Sequence, residues 1–245
     1  MLDMLTNEVS NPQINRWVWQ FLDVIYPPFC CGCGKFGFEL CPNCLQTICK
    51  IEQFELCTFC GNPLSSDRQC ARENEHNRFV FTQARSWGIY KNPLNHLLRN
   101  IKYKRGFGLV RFLTEPVVKA IKDWGIKADM VLPVPLAKKR LAERGYNQAK
   151  IIAQPIADYL QIPVTINALL RIRETKSQVG LNTAQRIANV QNAFLADSQV
   201  CRSKNILLFD DISTTFSTVN ACATALKAAG AKNIYCFSVA RTIYQ

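Results

Sequence analysis

Apolar residues run unbroken from Ile206 to Phe209, and two acidic residues and a string of hydroxyls follow at once. A continuous apolar block of that length reads as a parallel strand covered on both faces, and Ala221 to Ala229 reads as a small-residue helix ending at Gly230. The loop between them therefore lies at the carboxyl end of a strand, where open α/β sheets bind their ligands. Asp129-Met-Val-Leu-Pro-Val-Pro135 predicts a second short strand closed by a rigid turn.

Helical spacing recurs twice. Ile14, Trp17, Val18, Phe21, Leu22 and Ile25 give an amphipathic helix that stops before Pro27-Pro28. It lacks a basic polar face, so docking on this chain or on a partner is expected rather than lying on a membrane. Pro93 opens a second helix with Leu94, Leu97, Leu98 and Ile101 on one face. The basic, polar stretch from Leu170 to Phe194 is too irregular for core and reads as a mobile lid over an anionic ligand.

The cysteines change this picture. Nine of twelve fall between Cys30 and Cys70, with Cys30-x-x-Cys33, Cys41-x-x-Cys44 and Cys57-x-x-Cys60 as spaced pairs. Thiolates two residues apart can take adjacent corners of a tetrahedral zinc site, and Gly34 and Gly61 suit the turn of the knuckle. Cys30, Cys33, Cys41 and Cys44 make one complete set. Cys57, Cys60 and Cys70 supply three ligands of a second, but Glu73 stands where the fourth cysteine is expected and His76 lies near enough to compete. A Cys₃His site, a weak carboxylate site and a lost metal all stay open. A disulfide framework is the rival reading. The amino end, beginning Met-Leu-Asp with Glu8, has no basic region or cleavage site, and no stretch reaches the roughly 20 apolar residues of a membrane span. A cytoplasmic protein with reduced thiols is the expectation.

The chain has 245 residues, of which 48% are apolar, enough for one α/β domain and a small metal-stabilised module. The expected division is residues 1–26 as the amphipathic helix, 27–76 as a zinc-ribbon module and 79–245 as the sheet domain, with the boundary in the polar stretch Arg72 to Arg78. Net charge is +12, concentrated at Lys102 to Arg111, Lys138 to Arg144 and Arg171 to Arg186. Such faces suit a polyanion, and Phe36, Phe38, Phe54, Phe59, Trp87, Tyr90 and Tyr103 are candidate platforms for single-stranded bases.

In the loop after Phe209, Asp210 and Asp211 suit ribose hydroxyls or a water-bridged Mg²⁺. Ser213, Thr214, Thr215, Phe216, Ser217 and Thr218 would offer hydroxyls and backbone N–H groups to a phosphate at the helix start. This run is similar to the phosphoribosyl pyrophosphate (PRPP) loop of phosphoribosyltransferases, which has two acidic residues, a variable pair and then Thr-Thr-Gly-x-Thr. Phe216 stands where that family has Gly, adding bulk and disfavouring φ > 0.

Arg144-Gly-Tyr-Asn-Gln148 and the run Arg171-x-Arg173-x-Thr175-x-x-Gln178 occur in the family's order beside the cysteine-rich amino end. From about Pro27 onward the chain resembles the ComF family of competence and DNA-uptake proteins. The resemblance implies an α/β fold, a type I phosphoribosyltransferase-like parallel sheet flanked by helices with an N-terminal zinc-ribbon module. It implies Pro133, Pro135 and Arg144 to Gln148 beside pyrophosphate, Arg171, Arg173, Thr175 and Gln178 on a flexible loop, and Asp210 and Asp211 as the catalytic residues, holding the ribose. Zn²⁺ and Mg²⁺ with PRPP are the implied cofactors. Single-stranded DNA, a competence helicase and a recombination mediator are the implied partners. Two other readings stay open, a phosphoribosyltransferase acting on an amine or nucleobase, and an adaptor without catalysis.

Overall fold

A computed structural model describes residues 28–174, 185 and 189–243. The first amphipathic helix, Thr175 and Gln178 therefore lie outside the described residues. The strands are β1 (Gln83–Ile89), β2 (Met130–Pro133), β3 (Leu169–Arg171), β4 (Phe194–Ala196), β5 (Asn205–Ser213) and β6 (Asn233–Arg241). The α-helices are α1 (Pro42–Gln46), α2 (Leu94–Tyr103), α3 (Arg111–Trp124), α4 (Lys138–Arg144), α5 (Gln148–Leu160), α6 (Ser198–Cys201) and α7 (Ser217–Ala228). A parallel sheet of order β1-β6-β5-β2 forms the centre, and β3 pairs with β4 as a separate antiparallel ribbon.

The apolar block at 206–209 is buried because β5 lies inside this sheet with helices on both faces. Successive side chains alternate between two cores. Leu207 and Phe209 pack with Leu97, Leu113, Val117, Ile152 and Ile156 of α2, α3 and α5. Ile206 and Leu208 pack with Val219, Cys222 and Leu226 of α7. Cys201, Cys222 and Cys236 are all buried.

The cysteine module is built onto the sheet. Cys30, Leu40, Cys41, Cys44 and Ile48 share the first core with Trp87 and Leu94, while Cys57 and Cys60 share the second with Phe81. The outer edge of β1 donates Ala84 N–H to the Phe59 carbonyl at 2.8 Å and Ile89 N–H to the Cys49 carbonyl at 2.9 Å. The module thus covers an edge that would otherwise expose unpaired backbone groups. The composition changes at Arg72 to Arg78, but the packing is continuous across it.

Candidate functional site

The carboxyl ends of β2 and β5 open into a cavity of about 750 Å³. Asp210, Asp211, Thr214 and Thr218 line it together with five basic side chains, Lys102, Arg105, Arg140, Arg144 and Arg171, and one further acid, Glu143. Local chemistry explains how the basic wall is held. Gly145, at φ 81°, ends α4. The Asn147 side chain then accepts from Ala149 N–H at 3.0 Å, capping α5, and donates to the Val134 carbonyl at 2.9 Å. The Pro-x-Pro turn after β2 and the Arg-Gly-Tyr-Asn-Gln run are thereby fastened together. The Arg144 guanidinium lies 5.4 Å from the centre of the Tyr103 ring.

The two acids differ in surroundings. Asp210 accepts Asp211 N–H at 2.8 Å. Burial, and then the neighbouring Asp211 charge, push its carboxyl well above the ordinary carboxylate range. Asp211 is buried with Lys102 Nζ 3.9 Å from its Oδ2, and that oxygen has no hydrogen-bond partner among the described residues. A buried carboxylate oxygen facing a polar cavity fits a ligand hydroxyl or a cation-bound water.

The hydroxyls of the loop divide between two faces. Thr214 and Thr218 meet the cavity, whereas Thr215 Oγ1 and Ser217 Oγ bond to each other at 2.7 Å and are buried. Ser213 is buried at the end of β5. Arg173 donates to the carbonyls of Asn189 and Gln191, away from the cavity lining.

Phe216 adopts φ 60°, ψ 2°, the left-handed conformation that a glycine takes without penalty. The expectation that Phe would resist positive φ is overruled by packing. Its ring is 3% exposed and turns away from the cavity, against Phe79 at 5.6 Å and Phe81 at 5.4 Å. The loop therefore keeps a glycine-like path with the side chain spent on the core behind it.

Two arginines that sequence reasoning passed over lie beside the Phe216 ring behind this loop, and one of them bonds to it. Arg72, only 3% exposed, donates from Nη1 to the Thr214 carbonyl at 2.8 Å and from Nη2 to the Thr215 carbonyl at 2.9 Å. Arg241, fully buried, donates to the Cys60 carbonyl at 2.8 Å and to Asn62 Oδ1 at 3.2 Å. A charged residue at the end of an apolar strand was the available signal for Arg241. Arg72 sat in the polar stretch expected to be the boundary between modules.

Two four-residue clusters each bring their ligand atoms within 4.8 Å of one another: Cys30, Cys33, Cys41 and Cys44, then Cys57, Cys60, Cys70 and His76. They rest on the same turn. Gly34 N–H donates to the Cys30 carbonyl at 2.8 Å, and Gly61 N–H donates to the Cys57 carbonyl at 2.9 Å. Zinc–sulfur bonds of about 2.3 Å in a tetrahedron place sulfurs about 3.8 Å apart. The Cys33–Cys41 separation is 3.7 Å, the Cys60–Cys70 separation 3.5 Å, and Cys70 Sγ lies 3.6 Å from His76 Nε2. Both donor sets fit zinc. His76, with Glu73 outside the cluster, completes the second.

No helix among the described residues is long and apolar enough to cross a membrane. The double zinc ribbon domain family matches residues 21–72. Adenine phosphoribosyltransferase from Thermoanaerobacter pseudethanolicus is a similar solved structure, at 14% identity and a TM-score of 0.37 over 60% of this chain and 74% of that one; at that score the sheet order alone carries the fold. DNA utilization protein YhgH of Salmonella typhimurium is 28% identical over 214 residues, covering 83% of this chain and 91% of the relative. Competence protein F of Haemophilus influenzae is 31% identical over 219 residues, covering 82% of this chain and 90% of the relative. With that identity over most of both chains, the chain belongs to the ComF family of competence proteins.

Proposed function

We propose that this protein handles incoming single-stranded DNA in the cytoplasm during natural competence, and that its cavity binds a phosphoribosyl ligand of the PRPP type with Mg²⁺. The observation that carries the reading is that one cavity, ahead of the start of α7, gathers Asp210 and Asp211 with five basic side chains. Acids suit the ribose hydroxyls and a hydrated Mg²⁺, and the basic wall suits pyrophosphate. Thr214, Thr218 and the α7 N-terminus complete a phosphate cradle. The names of the relatives, a competence protein and a DNA utilization protein, supply the biological setting.

The DNA-facing part of the reading draws on the first zinc knuckle. Phe29 and Phe36 are 66% and 61% exposed and meet edge to face at 5.6 Å, and Lys35 Nζ lies 5.5 Å from the Phe38 ring. Exposed rings beside a cation on a chain of net charge +12 suit base stacking along a phosphate backbone. A competence helicase and a recombination mediator are the protein partners this role expects.

Calorimetric titration of the zinc-loaded protein with Mg²⁺-PRPP tests the cavity, and anisotropy of labelled oligo-dT over a salt series tests the DNA role. Saturable binding in both supports the reading. Absence of PRPP binding removes the pocket, and DNA affinity without salt dependence removes the phosphate contacts. Pyrophosphate release with an added amine or nucleobase would move the protein to the transferase class.

A further inference from the structure

The second cysteine–histidine cluster and the loop at the cavity are joined by unusually direct contacts. Arg72 lies between two of the cluster's residues, Cys70 and His76, yet two of its guanidinium nitrogens end on the carbonyls of Thr214 and Thr215. Glu75, also between those ligands, accepts from Arg72 Nε at 3.1 Å and orients the fork. From the other side, Arg241 grips the knuckle through the Cys60 carbonyl, and its backbone pairs with Ser213, where β5 runs into the loop. The Phe216 ring lies between the two arginines, 4.9 Å from the Arg72 guanidinium carbon and 5.2 Å from that of Arg241. A Cys₃His set carrying Zn²⁺ has net charge −1, which balances buried cations that would otherwise be costly to desolvate.

We propose that metal occupancy at Cys57, Cys60, Cys70 and His76 and ligand occupancy of the Asp210–Thr218 cavity are coupled through Arg72, Phe216 and Arg241, with Arg72 as the positioning residue. The ligand half of the coupling rests on the cavity reading given above. Metal fixes the path of residues 70–76, and that path fixes the two carbonyls behind the phosphate cradle. Losing the metal frees Arg72, and Thr214 and Thr218 lose their preset position at the start of α7. Linkage is reciprocal, so a ligand that orders the cradle tightens metal at the second cluster and leaves the first cluster unaffected.

Hydrogen exchange of the peptide spanning residues 210–220 reads the clamp without any ligand. Metal-loaded wild type is compared with Arg72→Gln, shown by metal analysis to retain two zinc ions, and with His76→Ala, which retains one. The expected result is about tenfold faster exchange of this peptide in both variants, with the β5 peptide 205–209 unchanged as the check on folding. Arg72→Lys, which keeps the charge but cannot reach two carbonyls in one plane, is expected to behave as Arg72→Gln. Unchanged loop exchange in Arg72→Gln overturns the clamp. Mg²⁺-PRPP is then added while a chelator competes for zinc. The expected result is about tenfold tighter retention of one of the two ions in wild type and none in Arg72→Gln. Retention equal in both overturns the coupling. Failure of wild type to bind PRPP at all defeats the cavity reading, and the exchange comparison still decides the clamp.

Discussion

The Phe216 ring stands 5.2 Å from the guanidinium carbon of Arg241, on the side of the loop that faces away from the ligand cavity. The residue that departs from the phosphoribosyltransferase loop is thus a buried strut, and replacing it by glycine has two opposed effects. Relief of the left-handed backbone contributes about 1–2 kcal/mol. Deleting a buried phenyl costs about 3–5 kcal/mol through lost transfer energy and the cavity left behind. The cavity wins. Phe216→Gly is expected to be less stable by about 2 kcal/mol in denaturant titration, with PRPP affinity no better than wild type. A tighter-binding glycine variant would show that the ring obstructs the ligand.

Asp210 gives a prediction about pH. Its carboxyl is raised in the folded protein, first by burial and then by Asp211. A raised acid favours folding below the unfolded carboxyl value near 4, and that advantage is lost as pH rises toward the folded value. At neutral pH the group is a cost. Asp210→Asn removes it, so the variant is expected to gain about 1 kcal/mol at pH 7 and little at pH 4. Thermal melts at the two pH values measure this. The proposed Mg²⁺-PRPP binding is expected to be lost in the same variant, because in that reading the cation and the ribose hydroxyls both use the carboxylate. Equal stability of variant and wild type at pH 7 would mean that Asp210 is already compensated within the cavity.

Removal of a metal ligand distinguishes two structural ions from none. Cys33 is the exposed member of its cluster, so Cys33→Ser removes a ligand with little loss of packing. Metal analysis is expected to fall from two ions per chain to one. Because Leu40, Ile48 and Trp87 share a core around that cluster, Tm is expected to fall by on the order of 10 °C. An unchanged Tm with one ion missing would show that the sheet holds this module without metal.

The sequence spoke most clearly where one local rule decided the outcome. Ile206 to Phe209 reads as a covered parallel strand because both faces need apolar residues, and the structure places it between two helical layers. The cysteine pairs read as knuckles because their spacing is itself the geometry. What stayed hidden depends on contacts between distant segments. Arg72 meets Thr214 across 142 positions. The direction of the Phe216 ring follows from Phe79 and Phe81, which no pattern within the loop could reveal. The hydroxyls of Thr215 and Ser217 looked available to phosphate in the sequence, but they satisfy each other in the fold.

The proposed DNA role predicts separable contributions from the exposed aromatics of the first knuckle and from the basic cavity wall. Stacking on Phe29 or Phe36 is charge-neutral, so alanine at either position is expected to weaken oligo-dT binding by about 1–2 kcal/mol, with the dependence of log K on log salt unchanged. A phosphate contact behaves differently. Lys35→Ala is expected to weaken binding and to reduce the magnitude of the salt slope by about 1, because one fewer counterion is released. Anisotropy titrations between low and moderate salt give both quantities from one data set. If the phenylalanine variants changed the slope and the lysine variant did not, the knuckle would be a structural tip and the DNA path would lie elsewhere. Arg140→Gln in the cavity wall supplies the contrast. Loss of PRPP binding with DNA affinity retained would show that the cavity and the DNA path are separate, and joint loss would place one phosphate-binding surface under both ligands.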